Sequence, residues 1–394
     1  MRIFLLTFSF LVLTGTFIFT SCGGGGGGGS ESTVPPATTI TSTEDAEEAL
    51  SSSTLLIAPQ NSIDNMFNGN TQSALSTQII NPTSSIEISS SKKAFIPAGL
   101  AVYMSKKVKK YIFEKRLNAQ QSQDICTGEK KDCSDGGTWS CSGDINEQDE
   151  IYDITFEYDD CKYEDVTIDG KGSFKGNKND GYTFKVDSNF NIQDSSVDIT
   201  VLQTLTIYGK YSENNNGTEG TGIISINGKI RATDKSTTPN IIYESTFKNF
   251  KNSIAWKEID NSSENKEDIT MTTDGTISYS ETDGNETLSL EYRFYSFKRN
   301  STIDYNNHTE SLSVDGKVYI DYTPDVCFEG TYEYSTLNPI VYDYWTDEFK
   351  EGIIKINGAE YRFFTEEGIT KVEITINGNS EIKQLDELEG MCSI

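Results

Sequence analysis

The sequence predicts a mainly β protein: a large twisted antiparallel β meander, forming an open sheet or half-barrel, preceded by a short helical segment. Three observations predict it. From Gly136 onward, apolar and polar residues alternate with a period of two. Val197, Ile199, Val201, Leu205 and Ile207 alternate with Asp198, Thr200, Thr204 and Thr206, and Leu288, Leu290, Tyr292 and Phe294 with Ser289, Glu291 and Arg293. One dry and one wet face mark antiparallel strands. Second, a phrase recurs: Ile168-Asp169-Gly170, Ile226-Asn227-Gly228, Thr273-Asp274-Gly275, Val314-Asp315-Gly316, Ile356-Asn357-Gly358 and Ile376-Asn377-Gly378. Asp-Gly and Asn-Gly between alternating residues are hairpin signals, because a type I′ turn needs positive φ at both central positions. A glycine bulge inside a long strand is the other reading. Third, the apolar period before Gly136 is helical rather than two.

The elements follow in order. Residues 1–21 read as a leader, 22–41 as a tether, 42–121 as a helical segment with an irregular linker, and 122–394 as a disulfide-stapled β domain. Ser42 offers an N-cap hydroxyl, with Glu44 and Asp45 in the first turn of a helix expected to run to about Ile57. Gln60 to Ser91 reads as loop. Pro97 opens a second helix to about Gln121, carrying Leu100, Val102, Met104, Val108, Tyr111 and Ile112 at helical spacing. Its Lys106, Lys107, Lys109, Lys110, Lys115 and Arg116 fit a solvated face packed against acidic strands better than a lipid-bound face. Val197 to Tyr211, if unbroken, would span roughly 50 Å, so the sheet must be large and bent. The uneven spacing of the Asx-Gly phrases argues against a strict solenoid or propeller.

The chain opens with Met1-Arg2, an apolar run from Ile3 to Phe19, and Thr20-Ser21-Cys22 ahead of seven glycines. Charged start, apolar middle and small-residue cleavage site describe an export signal. Phe19-Thr20-Ser21-Cys22 resembles the lipobox of bacterial lipoproteins, with Phe19 where leucine is usual. The resemblance implies cleavage before Cys22, acylation of its thiol (palmitate among the chains) and a lipid anchor. Several acyl chains hold a membrane where one does not. In that family an aspartate after the cysteine retains the protein at the inner membrane. Gly23 stands here, so the outer membrane of a Gram-negative bacterium is implied. Gly23 to Gly29, followed by Ser, Thr and Pro-rich residues, reads as a flexible tether. The phrase around Thr43 to Ala46, the cysteine ahead of Gly136-Gly137, and the run Ile154 to Cys161 with Ile168-Asp169-Gly170 look like a loose pattern in uncharacterised bacterial lipoproteins. That likeness implies a fold and an address and brings no catalytic residue.

Thirty-three basic residues against sixty acidic ones give a net charge of −27, so nucleic acid is excluded as a partner. Besides Cys22 there are six cysteines, an even number that in an exported chain argues for disulfides. Without Cys-x-x-Cys spacing and with a single histidine, zinc is not expected. Folding a hairpin of Gly137 to Ser142 with Ile151 to Tyr158 about Glu147 sets Cys133 opposite Cys161 and Cys141 opposite Asp153. That leaves Cys327 with Cys392 and Cys126 with Cys141.

A nucleophile-histidine arrangement has only His308 to draw on, in a polar turn where a solvated loop is the simpler reading. Asp144 to Glu150 is oxygen-rich like a calcium loop, but Asp149 stands at the glycine position and Thr155 at the glutamate position, so no metal is assigned. No cofactor motif occurs. Tyr342, Tyr344, Trp345 and Asp347 form the densest aromatic and acidic cluster, a candidate patch for an envelope protein or glycan. The expectation is therefore a lipid-anchored envelope protein with a non-enzymatic binding or structural role. A carrier of a hydrophobic ligand is the first alternative, and a hydrolase using paired carboxylates the second.

Overall fold

The computed structural model describes residues 34–53, 56–57, 126–146, 151–163, 166–214, 218–236, 238–260, 265–323, 329–346 and 348–389. The leader, Cys22, the helix expected from Pro97, Cys327, Cys392 and Asp347 lie outside these residues. Among the described residues the fold is a single antiparallel sheet of 17 strands with two short helices, and the sheet does not close into a barrel.

Helix α1 (Thr43–Ser53) begins where Ser42 caps it: the Asp45 amide donates to Ser42 Oγ at 3.1 Å, and the Ser42 amide returns a bond to Asp45 Oδ2 at 3.0 Å. Helix α1 stops at Ser53, short of the expected Ile57. There Ser53 Oγ bonds back to the Ala49 carbonyl and shares a 2.7 Å hydrogen bond with Tyr334 Oη. A side chain competing for the helix's own carbonyl, with a tertiary partner to hold it, ends the helix early.

The strands are β1 (Lys131–Asp132), β2 (Thr138–Asn146), β3 (Ile151–Tyr163), β4 (Val166–Asn177), β5 (Gly181–Val186), β6 (Asn191–Gln193), β7 (Val197–Glu213), β8 (Glu219–Asp234) and β9 (Ile241–Asp260). They continue as β10 (Asn265–Asp283), β11 (Glu286–Asp304), β12 (Thr309–Thr323), β13 (Gly330–Asp343), β14 (Glu348–Ile356), β15 (Ala359–Glu366), β16 (Ile369–Ile376) and β17 (Asn379–Gln384), and α2 (Leu385–Glu389) ends the described chain. Each long strand pairs with its sequence neighbour, while β5 and β6 share the gap between β4 and β7.

The Asx-Gly phrases divide into two classes. Asn357-Gly358 and Asn377-Gly378 are two-residue hairpin turns, with φ of 51° and 88° in the first and 51° and 84° in the second. The other four lie inside strands as bulges. Opposite Gly170, Gly228, Gly275 and Gly316 the partner strand carries the extra residues, and its Asp160, Asn249 or Ser296 sits in the left-handed region. The Asx side chain secures the bulge. Asn227 Oδ1 accepts the Asn249 amide at 2.6 Å, and Asp274 Oδ1 accepts the Ser296 amide at 2.7 Å. Glycine is required because the strands touch there: a Cβ on Gly275 would lie 2.2 Å from the Asn249 carbonyl oxygen. These bulges recur on successive hairpins, so the bend they impose is carried across the sheet.

Two large hydrophobic clusters form most of the core of the described residues, beside a small third one of Ile254, Trp256, Ile269 and Ile303. One joins β2 to β9 through Phe156, Phe174, Phe190, Val201, Ile230 and their neighbours. The other joins β11 to β16 and takes in Ala46, Ala49 and Leu50 of α1 and Leu385 and Leu388 of α2. Helix α1 is thus part of the sheet's core rather than a separate helical segment.

Candidate functional site

Antiparallel strands gather their turns at two ends of the sheet. At one end, Thr38 reaches the start of β13: its amide donates to the Thr331 carbonyl at 2.9 Å, and the Thr331 amide donates to Thr38 Oγ1 at 2.8 Å. Asn357 Nδ2 clamps both strands, donating to the carbonyls of Thr38 at 2.7 Å and Thr331 at 2.9 Å, while its Oδ1 accepts the Glu333 amide at 2.6 Å. The segment just ahead of α1 is therefore latched at this end. Sequence reasoning assigned Asn357 only to a turn; no local pattern marks its contact with a residue 319 positions away.

At the opposite end, the turns after β11 and β13 interlock. The Tyr344 amide donates to the His308 carbonyl at 3.0 Å, and Tyr344 Oη donates to the Asp304 carbonyl at 3.3 Å. Asp343 Oδ1 accepts the amides of Trp345 and Thr346 at 2.9 and 3.1 Å, the side-chain turn that Asp favours. Burial pulls the Asp343 carboxyl upward, but those two amides and Lys350 outweigh it and hold the group below its ordinary range. Trp345 is thereby presented to solvent, 78% exposed, with the His308 ring stacked 5.1 Å from it. Of the three tryptophans, only this one is exposed; Trp139 and Trp256 are buried.

The rim continues onto β9 and β10. Tyr305, also exposed, donates its hydroxyl to Glu267 at 2.7 Å. Glu267 stands directly across from Glu258 in the β9–β10 register. Burial pushes the Glu267 carboxyl up and the charge of Glu258 adds to this, against the opposing pull of the Tyr305 hydroxyl. Among the described residues neither glutamate forms an ion pair. Deeper on the same sheet, Arg299 and Glu310 form a buried pair at 3.2 Å, with Ser301 also donating to Glu310. Removing one member of such a pair would strand the other charge, so its role is structural.

The expected patch is divided by this arrangement. Tyr342 is buried, its ring 5.2 Å from Phe349, because alternation along β13 turns it inward. Tyr344 is half-buried, Trp345 is exposed, and Asp347 lies outside the described residues. The rim residues Tyr305, Glu258 and Glu267 were not anticipated; Glu258 and Glu267 flank the β9–β10 turn, and Tyr305 joins them from the turn after β11, 38 positions from Glu267.

Two expected disulfides are present, Cys133–Cys161 and Cys126–Cys141. The register that suggested them is corrected. The hairpin pairs Asn146 with Ile151, which places Cys141 opposite Phe156 rather than Asp153. Cys133 instead sits where β1 doubles back onto β2, and it meets Cys161 just past the bulge at Asp160. The third pair expected, Cys327 with Cys392, lies outside the described residues. Among these residues, no group of three or more His, Cys, Asp or Glu is arranged to hold a metal.

No protein family, curated protein or solved structure matches this chain.

Proposed function

We propose that this chain is an exported envelope lipoprotein, acylated at Cys22 and tethered to the outer membrane, whose curved sheet acts by binding or as structure without catalysis. The observation that carries the reading is Phe19-Thr20-Ser21-Cys22 at the end of an apolar leader, ahead of a glycine tether. The two disulfides support it, since such bonds persist in oxidising compartments. The latch at Thr38 supports it as well, because a body held by its N-terminal segment suits an anchor that lies further upstream. Among the described residues, the face of β11 to β16 on which a hydrophobic ligand would lie is occupied by Ala46, Ala49 and Leu50 of α1, which argues against the carrier alternative.

Membrane fractionation of cells expressing the wild type beside a Cys22→Ala variant tests the proposal. Wild type in the outer-membrane fraction, with the variant redistributed or retained as uncleaved precursor, is expected. Identical fractionation of the two overturns it.

A further inference from the structure

We propose that the rim formed by Glu258, Glu267, Tyr305, Tyr344 and Trp345 docks a lysine- or arginine-bearing segment of a partner protein. Two independent features of the rim converge on a cation. Glu258 and Glu267 face each other across β9 and β10, and like charges directly opposite destabilise a sheet. Among the described residues no lysine or arginine relieves them, although ion pairs are spread over the rest of the sheet. A cationic side chain arriving from outside would do so. Tyr305, whose hydroxyl meets Glu267, and further along the same turns Trp345, stacked on His308, present exposed rings whose faces attract an ammonium or guanidinium group. His308 backs one side of Trp345, so the indole is held in place before anything binds.

Charge selects among occupants. A net −27 disfavours anionic lipid and phosphate-rich polymers. A neutral sugar would use the rings and leave the two glutamates uncompensated. A polypeptide segment carrying Lys or Arg uses both features at once. The rim also lies at the end of the sheet opposite the Thr38 latch, so an anchor upstream of Thr38 leaves it clear of the attachment point. The docking itself does not depend on that reading: a soluble Cys22→Ala protein should bind equally well, which separates failure of the anchor from failure of the rim.

The test is calorimetric titration of the mature, detergent-solubilised protein with an arginine-glycine repeat peptide, in salt near 0.15 M to suppress diffuse attraction. Tryptophan emission, to which Trp139, Trp256 and Trp345 all contribute, serves as a second readout, and the part lost in Trp345→Ala is the local signal. Saturable binding is expected, weakened about tenfold by Trp345→Ala and comparably by Glu267→Gln. The glutamine variant should also hold or raise the thermal midpoint, because it removes a repulsion; a merely structural glutamate would lower it. Equal affinity in wild type and both variants would show charge attraction without a site and overturn the proposal. So would saturable binding of a neutral oligosaccharide or of phosphatidylcholine vesicles with none of the peptide.

Discussion

Strands β2 to β9 and β11 to β16 are built from the same long hairpins, yet they complete their buried faces differently. In the first region, aromatic side chains of the strands themselves meet, with Phe156 packed on Phe184 and Phe190 and Phe174 on Tyr182. Two disulfides then tie its beginning to β2 and β3. In the second region, the described residues carry no disulfide, and the face is covered by α1, held by the Tyr361 hydroxyl on the Ala46 carbonyl at 2.9 Å, Ser53 on Tyr334, and Lys383 on Glu47 at 2.9 Å. The lesson is that a wide open sheet has too little core of its own on either side. Among the described residues, one side is supplemented by disulfides and the other by a segment from a distant part of the chain. On the lipoprotein reading that segment is also the one joined to the anchor, so force on the tether is delivered to the region that α1 covers.

This contrast can be broken. Leu50→Ala, at a side chain only 1% exposed under the sheet, should cost about 3 kcal/mol in urea titration. Hydrogen exchange should quicken in β13 to β16 and stay unchanged in β2 to β5; equal quickening in both would mean that the regions are one unit. The two classes of Asx-Gly phrase come next. Gly275→Ala forces a Cβ onto the β9 backbone at positive φ, and should cost about 2 kcal/mol or more. Gly378→Ala meets nothing within 4 Å and should cost about 1 kcal/mol, from its conformation alone. Thermal midpoints that fail to separate the two variants would remove the distinction between bulge and turn. Tyr361→Phe, which deletes one buried hydrogen bond to α1, should lose about 1 kcal/mol.

The smallest effect is acid sensitivity at the start of α1. Burial raises the Asp45 carboxyl, but the bonds from Thr41 and Ser42 outweigh it and leave it lowered. A group lowered in the folded state contributes stability that is present above its unfolded value, about 3.9, and is lost as pH falls through its folded value. Asp45→Asn should therefore make the acid limb of the stability curve shallower below pH 4 and give no pH-dependent difference above about pH 5.

Much of the sheet was legible because burial on one face forces alternation, and alternation survives in the sequence. The class of each Asx-Gly phrase was legible too, in a signal that went unused. In β8 the inward residues Ile224, Ile226, Ile230 and Ala232 keep one phase through Gly228, the mark of a bulge in a continuous strand. Across Asn357-Gly358 the inward set changes phase, from Ile354 and Ile356 to Ala359, Tyr361 and Phe363, the mark of a turn. The rim was not legible. Glu258 and Glu267 pair across the β9–β10 turn, which carries no Asx-Gly phrase, and Tyr305 reaches Glu267 only because the bulge at Gly275 shifts the β10–β11 register. Cys133 was paired correctly from an incorrect register, because a second doubling of the chain at β1 brought it to the same place.

The most direct test of an exported, anchored and disulfide-stapled protein is the intact mass of the native chain, taken before and after reduction and alkylation. The account predicts an N-terminal acylated Cys22, with Cys126, Cys133, Cys141 and Cys161 alkylated only after reduction. A chain that retains Met1, carries no lipid and alkylates at those four cysteines without reductant would contradict it.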